Sequence, residues 1–314
     1  MKISIKLRKE NPIWNQYLDQ LQTVAETRIV INGQLPEICD DDILITTNLT
    51  SDELRRYVNL KAVFLPKTGI DLLPLTELRE RNVYLWNSHA NADIIAEHAL
   101  ALSLALLHRI PEFCEDLKNN IWCSDGKNYF WQSIKDFSIG IMGYGHVGKE
   151  LYHLLQPMNS NIYVLNYHKE YPQRVRGVES LEDLIEKCNL LYVCLPLNDT
   201  TRNLFDDKNM QLLNDKFIVN IARAEIFEEK TLYESLKKGL LAGYASDVWF
   251  HEANKSDRAQ RVKPSNYPFS TLKNVVMSPH CATHTGYAQS RYVSDCVNAC
   301  ISYIRQLSEI GSTQ

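Results

Sequence analysis

Three glycines at regular spacing lie between an apolar stretch and a helical stretch of the sequence. The segment GYGHVG at 143–148 directly follows SIGIM and precedes KELYHLL, the order of strand, glycines and helix that a phosphate-binding G-x-G-x-x-G pattern requires. Gly143 would permit a tight turn, Gly145 the close approach of a pyrophosphate, and Gly148 close packing of the helix on the strand. We therefore expect a dinucleotide site here, with a glycine turn that binds no ligand as the plainer alternative.

The residues that follow this loop bear on which dinucleotide is bound. His146 and Val147 begin the predicted helix, and their backbone N–H groups would face the phosphates. A dinucleotide site usually carries an acid about 20 residues after the last glycine, where it binds the ribose 2′-hydroxyl. That position is His168 here, and the same predicted loop continues with the cations Lys169, Arg174 and Arg176. Because no acid repels a 2′-phosphate, we expect NADP(H) to be accepted, alone or beside NAD(H); a basic loop without a role in this choice is the alternative.

Length and composition limit the classes of protein that this sequence can form. Its 314 residues suffice for two ordinary domains. With 23% charged residues, 45% hydrophobic residues and a formal net charge of -4, the chain is typical of globular proteins and not of dedicated nucleic-acid binders. The longest apolar stretch, 94–110, is interrupted by Glu97, His98 and His108, so it predicts a buried helix and not a membrane span.

The first residues and the cysteines predict the compartment. The start, MKISIKLRKE, is charged and has no apolar signal core, which argues against export. Eight cysteines without a Cys-x-x-Cys pair suit reduced thiols better than a disulfide framework. We therefore expect a cytoplasmic protein that does not associate with membranes.

Short β-rich runs alternate with helical segments in the first hundred residues. The runs are KISIKL (2–7), TRIVI (27–31), DILIT (42–46), KAVFLP (61–66) and NVYLW (82–86). This alternation is typical of an α/β fold. Thr50 and Glu53 form a capping box, which predicts that a helix starts after the third run. The segment 92–117 carries apolar residues at helical spacing and predicts one long helix that crosses between two lobes.

The second half of the chain has a more regular rhythm. Apolar runs occupy 137–142, 162–167, 190–195, 217–222, 241–248 and 275–277. Their start-to-start spacings of 25, 28, 27, 24 and 34 residues match repeated β-α units that form a buried parallel sheet. We expect a doubly wound domain of six strands, a surface loop over 254–267, and a final helix over 288–307 that packs back on the first lobe.

Several separate motifs occur in an order that gives the chain a family resemblance. They are the glycine loop, NIARAEIFEEKTLYESLKKGLLAGYASDV at 220–248, SPHCATHT at 278–285, KTGID at 67–71 and NADIIAEH at 91–98. In these motifs the chain resembles the NAD(P)-dependent D-isomer-specific 2-hydroxyacid dehydrogenases, which include D-lactate, phosphoglycerate, glyoxylate/hydroxypyruvate and formate dehydrogenases.

The resemblance implies a fold, a reaction and a partner. The fold would be α/β with two Rossmann-like lobes: a doubly wound dinucleotide-binding domain over 91–282, and a smaller flavodoxin-like substrate domain over 1–90 plus 283–314. The reaction would transfer a hydride between NAD(H) or NADP(H) and a small 2-hydroxy or 2-oxo acid with D-specificity. Members of the family usually form homodimers through the dinucleotide-binding domain, and we expect the same here.

The resemblance also assigns roles to four residues of the second lobe. Arg223 matches the catalytic arginine, His280 the catalytic histidine, Glu252 the acid paired with that histidine, and Asp247 an acid near the nicotinamide carboxamide. The three catalytic candidates, Arg223, Glu252 and His280, lie at or just beyond the carboxyl ends of predicted strands, where open α/β sheets bind ligands. A guanidinium can hold a carboxylate by two parallel hydrogen bonds, and an imidazole can exchange a proton near neutral pH.

For the first lobe, the resemblance implies that Asn91 and the backbone around Thr68 and Gly69 bind the substrate carboxylate. From the residues alone, a surface ion pair would be the favoured interpretation of Arg223, and His280 could not be chosen over His89, His98 or His284. The run from His280 to His284 lacks the further ligand that would complete a tetrahedral set, so we expect no metal.

The chain also departs from the family pattern at three loops. Arg223-Ala224 replaces Arg-Gly, His89-Ala90 replaces Pro-Gly, and Glu252-Ala253 replaces Glu-Pro. Segment 247–250 is similar to formate dehydrogenases, but these carry glutamine at the position of Glu252. An acid-paired histidine favours a 2-oxo or 2-hydroxy acid instead. The rival function is that of the family's transcriptional corepressors, which bind the cofactor and interact with partners with little or no turnover.

Overall fold

The computed structural model describes residues 1–31, 35–71, 73–122, 130–159, 161–166, 171–172, 174–252 and 262–312. For residues 310–312 it describes the backbone only. The chain divides into two compact units. One consists of Met1–Asn91 and Thr283–Gln314, and the other of Ala92–Ala282. Each unit contains one parallel sheet, so the predicted α/β fold class is confirmed.

The first unit contains a sheet of five parallel strands: β1 (Lys2–Leu7), β2 (Glu26–Ile31), β3 (Ile43–Thr46), β4 (Ala62–Leu65) and β5 (Tyr84–Asn87). Their order, β2-β1-β3-β4-β5, is that of flavodoxin-like folds. Its helices are α1 (Asn15–Gln22), α2 (Ser51–Arg56), α3 (Leu75–Glu80) and α9 (Gly286–Ser312). The capping box of Thr50 and Glu53 is present at the start of α2, as the sequence predicts.

Alternate residues of these strands face two different layers of helices. Ile5, Ile45 and Phe64 pack with α1 and α9, whereas Leu44 and Val63 pack with α2 and α3. The buried residues of α9 recur at helical spacing, namely Val293, Cys296, Val297, Cys300 and Ile304. The prediction that the final helix packs on the first lobe is therefore confirmed.

The second unit contains seven parallel strands: β6 (Ile139–Met142), β7 (Ile162–Leu165), β8 (Arg176–Val178), β9 (Leu190–Val193), β10 (Phe217–Asn220), β11 (Gly243–Ser246) and β12 (Val275–Met277). They lie in the order β12-β11-β10-β9-β6-β7-β8. Helices α4 (Ala92–Leu107), α5 (Ile110–Lys118), α6 (His146–Leu155), α7 (Leu181–Lys187) and α8 (Glu229–Lys237) belong to this unit. The strand order reverses between β6 and β9, which is where doubly wound sheets bind ligands.

Two features of this unit differ from the sequence-based prediction. The sheet has a seventh strand, β8, which the apolar pattern does not reveal because only Val178 of its three residues is apolar and buried. The predicted helix over 92–117 is instead two helices, bent by 59° at Arg109, which adopts a left-handed φ of 53°. Pro111 explains the break, because its ring would clash with the carbonyl of Leu107 in a continuous helix.

Among the described residues, no single helix is both long and apolar enough to span a membrane. Only α4 and α5 taken together meet that test of length and composition, despite the bend between them.

Candidate functional site

The glycine loop connects β6 to α6, and two of its glycines are needed for its shape. Gly143 has a φ of 102°, and a Cβ added there would lie 2.9 Å from the carbonyl oxygen of Cys194. A Cβ on Gly148 would lie 2.1 Å from the carbonyl oxygen of Gly143. Gly143 therefore makes the turn, and Gly148 lets the helix approach the loop.

Gly145 has a different environment from its neighbours. A Cβ added there would meet no atom within 4 Å, so space is open above the loop. Gly145 is also the N-cap of α6 and offers no side chain to bind the first-turn N–H groups, which begin at His146 and Val147 and lack intrahelical acceptors. No acidic residue lies in this first turn. The loop therefore fits the pyrophosphate of a dinucleotide, which would occupy this space at the positive end of the helix dipole.

The residues proposed to select the cofactor are only partly described. His168 and Lys169 lie outside the described residues. Most of the predicted surface loop over 254–267, which is not part of this selection, also lies outside them. Arg176 does not lie in the loop, contrary to the prediction, because it begins β8. Its guanidinium donates to Asn161 Oδ1 at 3.1 Å and lies over the ring of Tyr163, so it stabilises the sheet edge. Arg174 is exposed and is the remaining described candidate.

His280 and Glu252 form a direct side-chain pair. The distances from His280 Nδ1 to Glu252 Oε1 and Oε2 are 2.7 Å and 2.8 Å, and both side chains are about one-third exposed, at 34% and 38%. Glu252 therefore binds one ring nitrogen and leaves Nε2 on the other side of the ring. This arrangement orients an imidazole for proton exchange.

The backbone that carries His280 wraps around the carboxylate of Asp247. His280 has a φ of 51°, a conformation that a non-glycine residue adopts only where its surroundings impose it. Asp247 Oδ1 accepts hydrogen bonds from Ser278 Oγ at 2.6 Å and from the N–H of Cys281 at 2.9 Å, and Oδ2 accepts from the N–H of Ala282 at 3.0 Å. The carboxylate thus holds the two peptides that follow His280 and the side chain of Ser278, which precedes it.

Asp247 is ionised at neutral pH even though it is 2% exposed. Burial alone would raise its pKa, but hydrogen bonds from His98, Ser278 and the backbone outweigh burial and hold the pKa well below its usual range. The donor atoms of His98, Asp247 and Cys281 lie within 4.8 Å of one another, a cluster that the sequence did not reveal. Because the carboxylate already accepts several hydrogen bonds, we assign this cluster to holding the loop.

Arg223 lies three residues beyond the end of β10. Its backbone is extended, its Nη1 donates to the carbonyl oxygen of Ala222 at 2.6 Å, and its side chain is half-buried. Asn220 fixes this segment, because its Nδ2 donates to the carbonyl oxygen of Arg223 at 2.9 Å and its Oδ1 accepts from the N–H of Ala222 at 3.0 Å. Asn220 is missing from the sequence-based site, although a buried asparagine that ends an apolar strand is a detectable signal.

Arg223, Asp247 and His280 follow strands that are neighbours in the sheet. They come after β10, β11 and β12 respectively, and Glu252 follows β11 and pairs with His280. Since these strands are parallel, their carboxyl ends share one edge of the sheet. The structure therefore places the four second-lobe residues at the edge that also carries the glycine loop.

The three predicted residues of the first unit occupy two of its loops. Thr68 and Gly69 follow β4, and Asn91 follows β5. Asn91 is fully buried, and its Nδ2 donates to the carbonyl oxygen of Ala288 at 2.8 Å. One N–H of Asn91 therefore holds the start of α9.

Comparison with known proteins gives a consistent result. The family model for the NAD binding domain of D-isomer specific 2-hydroxyacid dehydrogenases matches residues 100–282. The chain is 27% identical over 300 residues to D-3-phosphoglycerate dehydrogenase of Methanocaldococcus jannaschii, covering 91% of this chain and 55% of that protein. It is 24% identical to the mitochondrial formate dehydrogenase 2 of Oryza sativa subsp. japonica, covering 90% of this chain and 75% of that protein. A crystal structure of Aquifex aeolicus D-lactate dehydrogenase with NAD and lactic acid shares the fold at 17% identity, with a TM-score of 0.83 over 99% of this chain and 98% of that one.

Proposed function

The chain belongs to the D-isomer specific 2-hydroxyacid dehydrogenase family, and on this premise we propose that it interconverts a small 2-oxo acid and its D-2-hydroxy acid. The observation that carries this proposal is the contact of 2.7 Å between His280 Nδ1 and Glu252. When bound, the nicotinamide cofactor supplies or accepts the hydride. The protein must then move one proton and hold one carboxylate.

His280 is proposed to move the proton. Adding a hydride to the carbonyl carbon of a 2-oxo acid leaves an alkoxide, which needs a proton. With Nδ1 bound to Glu252, Nε2 can donate that proton during reduction and accept it during oxidation. Glu252 stabilises the imidazolium form and fixes the ring. Oxidation of formate releases no hydroxyl proton, so this pair favours a 2-hydroxy acid as the substrate.

Arg223 is proposed to hold the substrate carboxylate and to polarise the adjacent carbonyl. Its guanidinium fork can make two parallel hydrogen bonds to a carboxylate. In this assignment the unit Ala92–Ala282 binds the cofactor, with Asp247 near the nicotinamide. The other unit contributes the backbone around Thr68 and Gly69, together with Asn91, to the carboxylate site.

The proposed function predicts oxidation of reduced nicotinamide by 2-oxo acids. The test is a spectrophotometric panel of glyoxylate, hydroxypyruvate, pyruvate and bulkier 2-oxo acids, each with NADH and with NADPH. We expect turnover with at least one acid and formation of the D-isomer. Absence of turnover with every acid, combined with a cofactor-dependent change in affinity for a protein partner, would favour the corepressor-like alternative.

The same panel tests the predicted use of NADPH. We expect kcat/KM with NADPH to lie within about a hundredfold of the value with NADH, because no acid is predicted to repel the 2′-phosphate. Arg174→Ala should raise the KM for NADPH about tenfold and leave that for NADH unchanged. Arg176→Ala is the matched control, since this guanidinium is bound to Asn161. A larger preference for NADH contradicts NADP(H) use, and equal effects of Arg174→Ala on both cofactors contradict a role for Arg174.

We also propose that the protein forms a homodimer through the unit Ala92–Ala282. Six large apolar side chains of this unit are at least half exposed, and we call them the exposed apolar residues: Ile110, Leu117, Ile121, Trp122, Phe130 and Trp131. The ring centroid of Trp131 lies 4.2 Å from that of His108, so Trp131 packs beside the junction of α4 and α5. Exposed apolar area of this kind favours association.

The dimer predicts a specific sensitivity to charge. A double variant, Trp122→Glu with Phe130→Glu, should halve the molar mass measured by light scattering, because a buried unpaired carboxylate is costly. Ile38→Glu is the control, since Ile38 is 71% exposed and belongs to the other unit. A monomeric wild type, or a dimer that the double variant leaves intact, would contradict the assignment.

A cytoplasmic location is likewise a proposal. It is supported by the seven cysteines of the described residues, which are all free thiols. Reduced thiols are typical of reducing compartments.

A further inference from the structure

Thr68, in the loop that follows β4, is held at both its carbonyl and its hydroxyl. Asn87 Nδ2 donates to the carbonyl oxygen of Thr68 at 2.7 Å. The hydroxyl of Tyr292, on α9, lies 3.1 Å from Thr68 Oγ1, and Thr68 Oγ1 donates to the carbonyl oxygen of Ser88 at 3.0 Å. All four residues belong to the first unit, and we call this arrangement the Thr68 clamp.

The hydrogen bonds at the hydroxyl have a defined direction. Thr68 Oγ1 has one proton, which it donates to Ser88. Tyr292 must therefore donate to Thr68 and not accept from it. Burial raises the pKa of Tyr292, so its phenol keeps the proton that this direction requires.

The bond to the carbonyl fixes the following peptide group. The C=O and N–H of a trans peptide point in opposite directions, and the described residues contain no cis peptide. With the Thr68 carbonyl turned toward Asn87, the N–H of Gly69 points away from Asn87. This N–H has no hydrogen-bond partner among the residues that the structure describes, and Gly69 is only half-buried.

The last helix also anchors the neighbouring loop. Ser88 Oγ donates to Asp295 Oδ2 at 2.5 Å, and Asn91 Nδ2 donates to the carbonyl oxygen of Ala288. These two contacts hold the loop after β5, which the first unit is proposed to contribute to the substrate site. Tyr292 adds the bond that reaches Thr68 itself.

We propose that Asn87 and Tyr292 are positioning residues that fix the Thr68–Gly69 peptide so that the Gly69 N–H donates to the substrate carboxylate. The proposal rests on the proposed function, because it needs a carboxylate substrate. Both residues act through Thr68 and do not touch the reacting atoms. They should therefore affect substrate binding more than the chemical step.

The test compares Tyr292→Phe and Asn87→Ala with Tyr303→Phe. Tyr303 lies on the same helix, and its ring stacks on Tyr84 at 5.0 Å, so its variant removes the same hydroxyl group outside the clamp. Each clamp variant should raise the KM for the 2-oxo acid about tenfold and change kcat by less than about twofold, since the hydrogen bond to Thr68 is lost. Tyr303→Phe should leave both constants unchanged.

Hydrogen exchange supplies a readout that does not depend on turnover. The N–H of Ser88 donates to the carbonyl oxygens of Leu65 and Lys67, which links the two loops. Its exchange should be about tenfold faster in both clamp variants than in the wild type and in Tyr303→Phe. This measurement also shows whether each variant is folded.

The outcomes separate the clamp from the proposed function. If the wild type is active and the clamp variants have the same KM as the wild type, the clamp is overturned and the proposed function stands. The same holds if the variants lower kcat without changing KM. A wild type that reduces no 2-oxo acid overturns the function. In that case the clamp is judged by exchange at Ser88 alone, and unchanged exchange overturns it too.

Discussion

Replacing His280 by alanine should lower kcat by about three orders of magnitude, because general acid–base catalysis typically contributes factors of about 10²–10⁴. The variant loses the group that exchanges a proton with the substrate oxygen. It keeps the glycine loop, so cofactor affinity measured by fluorescence titration should change by less than about threefold. His153→Ala is the control, since it removes an exposed imidazole of α6.

Glu252→Gln refines this prediction. A glutamine can still accept a hydrogen bond from His280 Nδ1, but it does not stabilise the imidazolium by charge. We expect kcat to fall by about one to two orders of magnitude, less than in His280→Ala. Turnover of His280→Ala within about tenfold of the wild type would refute the role of His280, and an unchanged Glu252→Gln would refute that of its partner.

The strand pattern made most of the fold predictable from the sequence. Apolar runs at near-constant spacing imply parallel β-α units, and the structure confirms two parallel sheets. Strand β8 was missed because Arg176 and Gly177 are exposed at the sheet edge, where burial does not select apolar residues. The bend at Arg109 follows from Pro111, whose ring would clash with the carbonyl four positions earlier, an effect that apolar spacing alone does not reveal.

The site was predictable only in part, because its geometry depends on contacts distant in sequence. His280 was chosen by resemblance, and nothing local reveals its left-handed backbone or the carboxylate of Asp247 that holds it. Thr68 and Tyr292 are separated by 224 positions, so no spacing rule connects them. Roles of site residues therefore stay predictions until the variants are measured.

Arg223→Ala should produce the largest loss, lowering kcat/KM for the 2-oxo acid by about four orders of magnitude. Charged hydrogen bonds contribute about 1.5–3 kcal/mol each, and removing one donor aimed at a developing oxyanion costs about 10²–10³ in rate. Arg223 is proposed to do both, by binding the carboxylate and polarising the carbonyl. Arg202→Ala, which removes an exposed guanidinium from the same unit, should have no effect.

Arg223→Lys separates charge from geometry. A lysine keeps the positive charge but cannot form the planar fork, so kcat/KM should stay about two orders of magnitude below the wild type. Added guanidinium should partly restore turnover in Arg223→Ala and not in Arg223→Lys, because only alanine leaves space for it. A lysine variant as active as the wild type would show that charge alone suffices, and an active alanine variant would assign the substrate carboxylate to other residues.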